Sequence, residues 1–584
     1  MPCPDGRNPA ATPVQREHVV PSSSCGPHRE TPCATARAAG SGNPDIRVKT
    51  DRSARDVGIL LLAALAVATP ACTRTQRNSD PQILVAALDG EPAHLNPAIT
   101  TNGGVHTAAA LLYDGLLELD TAGAPQPGLA TSWEVLDGGA RYVFHLRERV
   151  QWHDGQPFTS ADVKFSFDSL LLRYHARTRA SLSPMLLAVA TPDESTVVFR
   201  FRRPYAPLLQ QLDADESPIL PRHLFSGHDA LRNPANSAPI GTGPYRFVSH
   251  DANRDIRLTA NTRYFGGAPG IRDVVLRVIP DAATRVLALE AGEVDWLFSV
   301  PGPELARLRQ ARGVQLLQAA VTPGGGNCIT TLGFNLDRVW FKDVRVRRAL
   351  AHAINRQQIV ERVLYGEGRA ADAPISSRIA FAYAANLPIP AFDTLRAAAL
   401  LTSAGWPRVG AAVRTARGVP GIADGTPFAV SFTVLPSQAV HGSLLRAQLR
   451  AVGIDLRVIA LESGVFAQTV FTDRNFDTAI AAYCNGSDPE IGVRRQYVTA
   501  SIAPVPFSNM AGYSNAEMDS LFDRAGASMV TAERTALYRR IQEIAVRDQP
   551  YVWLVETLGS RAFTRRCRNF SGSSRFAQRA VCSG

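Results

Sequence analysis

Lysine is almost missing from this chain. Of 62 basic residues only Lys49, Lys164 and Lys342 are lysines, so a formal charge of +10 rests on arginine. The arginines are scattered, with no long basic run and no stretch where basic and aromatic residues interleave, which sets nucleic acid aside as a partner. The five cysteines from Cys72 onward form no CxxC or CxxH pair, so no zinc or other metal site is expected. HExxH, GxSxG and the P-loop are absent too, and catalysis is left without a motif; no cofactor is implied. Internal repeats at periods of 20 to 50 residues and heptad runs are likewise missing.

What is present is a chain of 584 residues, 45% hydrophobic, long enough to bury a sizeable core and to divide into two or more domains. Its apolar run VGILLLAALAVAT, residues 57 to 69, is 13 residues long, short of the about 20 that span a bilayer. Arg52 and Arg55 precede it and Pro70-Ala71-Cys72 follow, the layout of an export signal. A polar, Pro- and Ser-rich stretch over residues 1 to 50 makes little sense ahead of such a signal, so a start at Val48 is expected instead. Residues 1–71 then count as upstream extension plus signal, and losing their eight basic and six acidic residues lowers the charge from +10 to +8.

Five cysteines would remain: Cys72, Cys328, Cys484, Cys567 and Cys582. Cys567 and Cys582 flank a Ser/Gly-rich stretch, and a disulfide closing that loop is worth about 3 kcal/mol by chain entropy. An oxidising periplasm permits it. The pattern leaves open whether Cys328 and Cys484 pair.

Local signals are dense between Gly128 and Leu170. Trp133 and Val135 alternate with polar neighbours up to Asp137-Gly138, after which Tyr142, Phe144 and Leu146 alternate with Arg141, His145 and Arg147, the period of a half-buried hairpin. Thr159 then stands three residues before Asp162 as a capping box, and Val163, Phe167, Leu170 and Leu171 recur at helical spacing. Elsewhere residues 105 to 117 read as a helix, Asp281 caps a helix closed by Gly292, and Asp343 and Asn355 cap two more. Gly241-Thr242-Gly243-Pro244-Tyr245 runs into a strand, which makes it a tight turn and not a phosphate loop. Strand and helix then alternate to the end, as in an α/β protein with mixed sheets. His153-Asp154 reads as part of a turn and not as an acid/base pair.

The stretch GLATSWEV, YVFHLR, WHDGQPFTSADV and SF resembles the signature of the extracellular solute-binding proteins of family 5, the peptide and nickel receptors of bacterial ABC importers. Further likeness, through GTGPY, GEVD, DVRVRRALAHAINR and AGW, extends over nearly all of residues 81 to 570. The resemblance implies a periplasmic-binding-protein-like α/β fold of two lobes joined by a hinge, with mixed sheets and a small domain inserted in the first lobe. Residues 72–117, 200–325 and 549–584 would form lobe I, 118–199 the inserted domain and 326–548 lobe II, with the Gly324–Gly326 run a hinge. It also implies a monomeric receptor that hands a peptide or other small solute to an inner-membrane permease complex. Ala71-Cys72 resembles a lipobox, though Thr69 stands where the family has Leu, so membrane contact would come through a lipid on Cys72.

The same resemblance supplies the candidate ligand residues. The strand ending at Tyr483 opens onto Cys484-Asn485-Gly486-Ser487-Asp488-Pro489, at the kind of strand end where α/β receptors hold ligands. In peptide-binding relatives an Asp four residues before this proline takes the ligand's α-ammonium; here the residue is Asn485. Leaving a buried ammonium unpaired costs about 3–5 kcal/mol. Two readings stay open: another carboxylate, Asp488, pairs the ammonium, or the solute (a saccharide, modified peptide or conjugate) has no free amino terminus. Tyr483, Arg494, Tyr113 and Asn96 complete the candidate set, with Arg494 and Arg495 as partners for an anionic group. A secreted hydrolase on the same scaffold and a sensor for a regulatory partner are the alternative classes.

Overall fold

A computed structural model describes residues 80–100, 102–120, 123–318, 327–410, 412–570 and 575–583. The expected export segment, the Val48 start, Cys72 and the Gly324–Gly326 run lie outside the described residues. Two large sheets and a smaller one organise the rest. The seven-stranded sheet runs Val314–Gln318, Ser560–Thr564, Trp296–Leu297, Ile83–Leu88, Asp273–Val278, Asp255–Ala260, Tyr245–Asp251. The six-stranded sheet runs Gly368–Ala370, Tyr551–Thr557, Cys328–Phe334, Thr478–Cys484, Ala429–Val434, Asp455–Ala460. Both are mixed: Ile83–Leu88 pairs in parallel with both its neighbours, as Ala429–Val434 does with its own, while the remaining pairs are antiparallel.

The central strands are apolar at nearly every position because both faces of each sheet are covered. In Ile83–Leu88, the side chains Leu84, Ala86 and Leu88 join one core and Val85 and Ala87 another. In Thr478–Cys484, Ala479, Ala481 and Tyr483 face one core and Ile480 the other. No buried cluster among the described residues is shared by the two large sheets, and that separation makes two lobes. The four-stranded sheet, Ala130–Leu136, Arg141–Leu146, Thr196–Phe201, Leu186–Asp193, has no core of its own: Phe144 and Phe199 belong to the cluster beneath the seven-stranded sheet.

Most local readings reappear as formed. Trp133 pairs with Phe144 and Val135 with Tyr142 across the hairpin, and the Thr159–Asp162 capping box opens the helix Ser160–Phe165. Asp281 caps Ala282–Ala291, which ends on Gly292 in the left-handed region at φ 76°, where glycine carries no Cβ penalty.

Two expectations are corrected. The helix ends at Ala109, and does not run from 105 to 117. Leu111, Leu112, Tyr113 and Leu116 are buried on all sides, and their backbone bonds go to distant partners: Gly243 and Tyr245 N–H donate to Leu112 O and Leu111 O, and Ala130 N–H donates to Leu116 O. Glycine is required there, since a Cβ on Gly241 would lie 1.8 Å from Leu112 O. The lobe boundary expected at 549 also moves. Tyr551–Thr557 lies inside the six-stranded sheet between Gly368–Ala370 and Cys328–Phe334, because its apolar residues need cover on both faces. The chain returns to the seven-stranded sheet only after Gly559, which adopts φ 65°.

Candidate functional site

The strand Thr478–Cys484 ends at the edge of its lobe, where the turn 485–488 folds into the short helix Pro489–Gly492. Gly492 sits so close beneath the turn that a Cβ there would lie 2.3 Å from the Asn485 carbonyl carbon. Cys484 is disulfide-bonded to Cys328, its register partner on the neighbouring strand, and Cys567 to Cys582 in the carboxy-terminal segment.

Asn485 is fully buried and its amide is engaged at both ends: Oδ1 accepts from Ser376 N–H at 2.7 Å and Nδ2 donates to Tyr483 O at 3.3 Å. It ties one loop to the strand end and does not face outward. Asp488 is buried as well, caps its helix through Glu490 N–H (3.0 Å), and accepts from Arg534 Nη2 on both carboxylate oxygens, at 2.8 and 2.7 Å. Burial works against the Arg534 charge, but Asp488 more than restores it and the guanidinium pKa is raised. The idea that Asp488 pairs a ligand ammonium is therefore corrected: its charge already has a partner inside the lobe.

The other candidates separate in the same way. Tyr483 donates its hydroxyl to Ser508 O at 2.9 Å, and its ring lies 5.7 Å from the Arg495 guanidinium. Arg494 is held by Glu490 at 3.2 Å and Asp523 at 2.7 Å. Tyr113 is buried in the lobe I core with no hydrogen-bond partner for its hydroxyl among the described residues, and burial holds it in the protonated form. Asn96 caps the turn Pro97–Ile99 and donates to Asn236 Oδ1 at 2.8 Å, so it too is structural. The structure brings together Tyr483, Asn485, Asp488 and Arg494 around one turn, while Tyr113 and Asn96 belong to the other lobe's interior.

Contacts between the lobes define the crevice. Ser487 Oγ donates to Gln210 O at 3.0 Å, and Arg203 pairs with Asp523 at 2.7 Å. Beside them lies a cavity of about 400 Å³, walled by Ala176, Ser181 and Pro184 on one side and by Ile491, Arg495 and Phe507 on the other. Sequence reasoning missed the lobe I groups facing Arg495. Arg177 holds Glu216 at 3.0 Å, and Asp213, whose side chain accepts Glu216 N–H at 3.0 Å, is pushed well above the usual carboxylate range by burial and by Asp215 and Glu216. The acidic run Asp213-Ala214-Asp215-Glu216 was the signal available in the sequence. Among the described residues no group of three or more His, Cys, Asp or Glu is placed to hold a metal, and no helix is long and apolar enough to cross a membrane.

Comparison with known proteins agrees with this architecture. The model of the bacterial extracellular solute-binding proteins, family 5 Middle, matches residues 124–502. The oligopeptide-binding protein AppA of Bacillus subtilis is 28% identical over 484 residues, covering 81% of this chain and 85% of the relative. The dipeptide-binding protein of Escherichia coli is 26% identical over 527 residues, with coverage of 85% and 92%. In three dimensions, the structure of Bacillus subtilis AppA in complex with a nonapeptide superposes with a TM-score of 0.73 at 23% identity, covering 86% of this chain and 99% of that one. The structure of NikZ from Campylobacter jejuni in complex with Ni(L-His) gives a TM-score of 0.71 at 22% identity, covering 84% and 95%. With its two sandwiched sheets, its inserted four-stranded sheet and a family match over residues 124–502, the chain belongs to the family 5 bacterial extracellular solute-binding proteins.

Proposed function

We propose that this chain is the solute receptor of an ABC importer and that it captures a peptide-like solute between its lobes. The observation that carries the reading is the cavity of about 400 Å³ with one wall from each side of the lobe boundary. A two-walled site lets a solute favour the closed arrangement over the open one, which is the differential affinity that lobe closure needs. No chemistry on the solute is required. Export through the segment ending at Ala71, a lipid on Cys72, a monomeric state and delivery to an inner-membrane permease complete the proposal. Amino-terminal mass spectrometry of the native protein tests its first part, and an unprocessed peptide beginning before Val48 would refute it.

Within this reading the solute needs no free amino group. Asn485 and Asp488 are both spent on protein partners, so neither is available to an ammonium at the strand end. Calorimetry with peptides carrying free and acetylated amino termini, together with small-angle scattering of free and saturated protein, tests the proposal. Compaction on binding and tolerance of acetylation are expected. Unchanged dimensions at saturation would sink the receptor reading, and loss of binding on acetylation would restore an ammonium site.

A further inference from the structure

Of the three arginines at this edge of the second lobe, two are neutralised and one is not. Arg534 has Asp488, and Arg494 has Glu490 and Asp523. Arg495 makes a single hydrogen bond, from Nε to Gly492 O at 3.1 Å, while its two Nη groups meet no acceptor among the described residues. It lines the interlobe cavity, and its guanidinium lies over the Tyr483 ring. A guanidinium cannot escape burial by losing its proton, and removing its water without supplying an anion costs several kcal/mol. Arg495 is half-buried, and burial first, then the charge of Arg177, press its pKa down to about 10 against the opposing pull of Tyr483 and Glu216.

The neighbouring carboxylates relieve it only in part. Glu216, which acts on Arg495 across the boundary, is held by Arg177 at 3.0 Å. Asp213 is raised well above its ordinary range, and Asp215 acts on Arg561. Glu490, on the cavity wall, is taken by Arg494 and by the Tyr538 hydroxyl, each at 3.2 Å. The remaining wall mixes apolar residues such as Ala176, Ile491, Val498 and Phe507 with serines, and Arg179 stands exposed at its rim. A cavity with apolar walls and, beside the neutralised Arg494 and the exposed Arg179, a half-buried cation in Arg495 suits a ligand that has an apolar body and an acidic end.

We infer that Arg495 is the specificity-determining residue of the crevice, binding a carboxylate carried by the solute, so that the receptor selects acids over their neutral counterparts. This rests on the peptide-like reading and names the part of the solute it recognises. The planar fork of an arginine grips a carboxylate through two hydrogen bonds, a geometry that an amide cannot return. The carboxylate can be the carboxy terminus of a peptide or an acidic side chain near it, and the two sources are separable by where the charge is removed.

The test is calorimetry with the full chain and four probes: alanyl-leucine, N-acetyl-alanyl-leucine, N-acetyl-alanyl-leucinamide and N-acetyl-glutamyl-leucinamide. The terminal acids are expected to bind at least about tenfold more tightly than the leucinamide, with N-acetylation changing affinity less. Recovery of affinity by the glutamyl amide would assign the site to a side-chain carboxylate, and no recovery to the terminus; either supports the inference. Arg495→Met should erase the preference for acids, and Arg495→Lys should retain part of it. Because the probe series needs no variant, a misfolded Arg495→Met would not hide the answer. Equal affinity for acid and amide, or a preference that survives in Arg495→Met, overturns the inference while leaving the peptide receptor intact. Failure of every probe to bind would instead count against the peptide-like reading, and the inference falls with it.

Discussion

The interior of the second lobe and its crevice face handle buried charge in opposite ways. Inside, Arg534 and Asp488 are almost fully buried and meet at 2.7 Å, with the Tyr538 hydroxyl closing the network. The first lobe does the same with Arg566 and Asp295, at 2.6 Å. At the crevice, Arg495 forms no ion pair with a carboxylate among the described residues and feels Glu216 only at a distance. An interior must satisfy its own polar groups, because nothing else will. A binding face can leave one unsatisfied, because the partner arrives from outside. Interior histidines show a second solution, which is to give up the charge: His106, His153 and His441 are each held down to about 4, chiefly by burial.

The comparison can be broken most strongly at Asp488. Asp488→Ala strands the Arg534 guanidinium, and a loss of about 3–5 kcal/mol is expected in urea unfolding. A loss under 1 kcal/mol would mean that the pair is not what holds the turn.

Acid probes the neutral histidines. Their folded pKa values lie below the ordinary 6.5, so between about 6.5 and 4 the unfolded chain binds more protons and stability falls as the pH drops. Glu490 acts with the opposite sign, since burial lifts it to about 7 and its folded form takes up a proton first on acidification. His94 and His175 are lowered as well, and Asp213 and Glu216 raised, so five histidines stand against three carboxylates and a net loss of stability at pH 5 relative to pH 7.5 is expected from thermal unfolding. Stability that rose on acidification would reverse the assignment.

Packing without charge gives a smaller effect. Gly241→Ala would place a Cβ against Leu112 O, and about 1–3 kcal/mol should be lost in the same unfolding assay, with no change in solute selectivity. The smallest change is expected at Arg495 itself. Replacing a charge that no carboxylate among the described residues pairs with by an apolar side chain of similar volume, Arg495→Met, should leave stability within about 1 kcal/mol of the parent or raise it. A loss as large as that of Asp488→Ala would place Arg495 among the interior pairs and end the distinction.

The sequence made the local architecture legible. Alternation from Trp133 to Leu146 specified a hairpin, and Thr159 with Asp162, Asp281 with Gly292, and Asn355 marked helix ends, because those signals act within a few residues of each other. Residues 111 to 116 were misjudged since their hydrogen-bond partners, at 130 and 243 to 245, are remote in the chain, and helical periodicity cannot register a distant acceptor. The ligand residues suffered most. Asp488 resembled a free carboxylate until Arg534 appeared 46 positions away, and Arg494 and Arg495 were indistinguishable as neighbours.

The order of strands and helices, their caps and turns, and membership of the solute-binding family were thus written in the chain itself, through interactions reaching only a few residues. Which charges are quenched and which remain for a solute was decided by tertiary structure alone. Neutralisation depends on a guanidinium and a carboxylate coming within about 4 Å, whatever their separation in the chain, and only folding sets that distance.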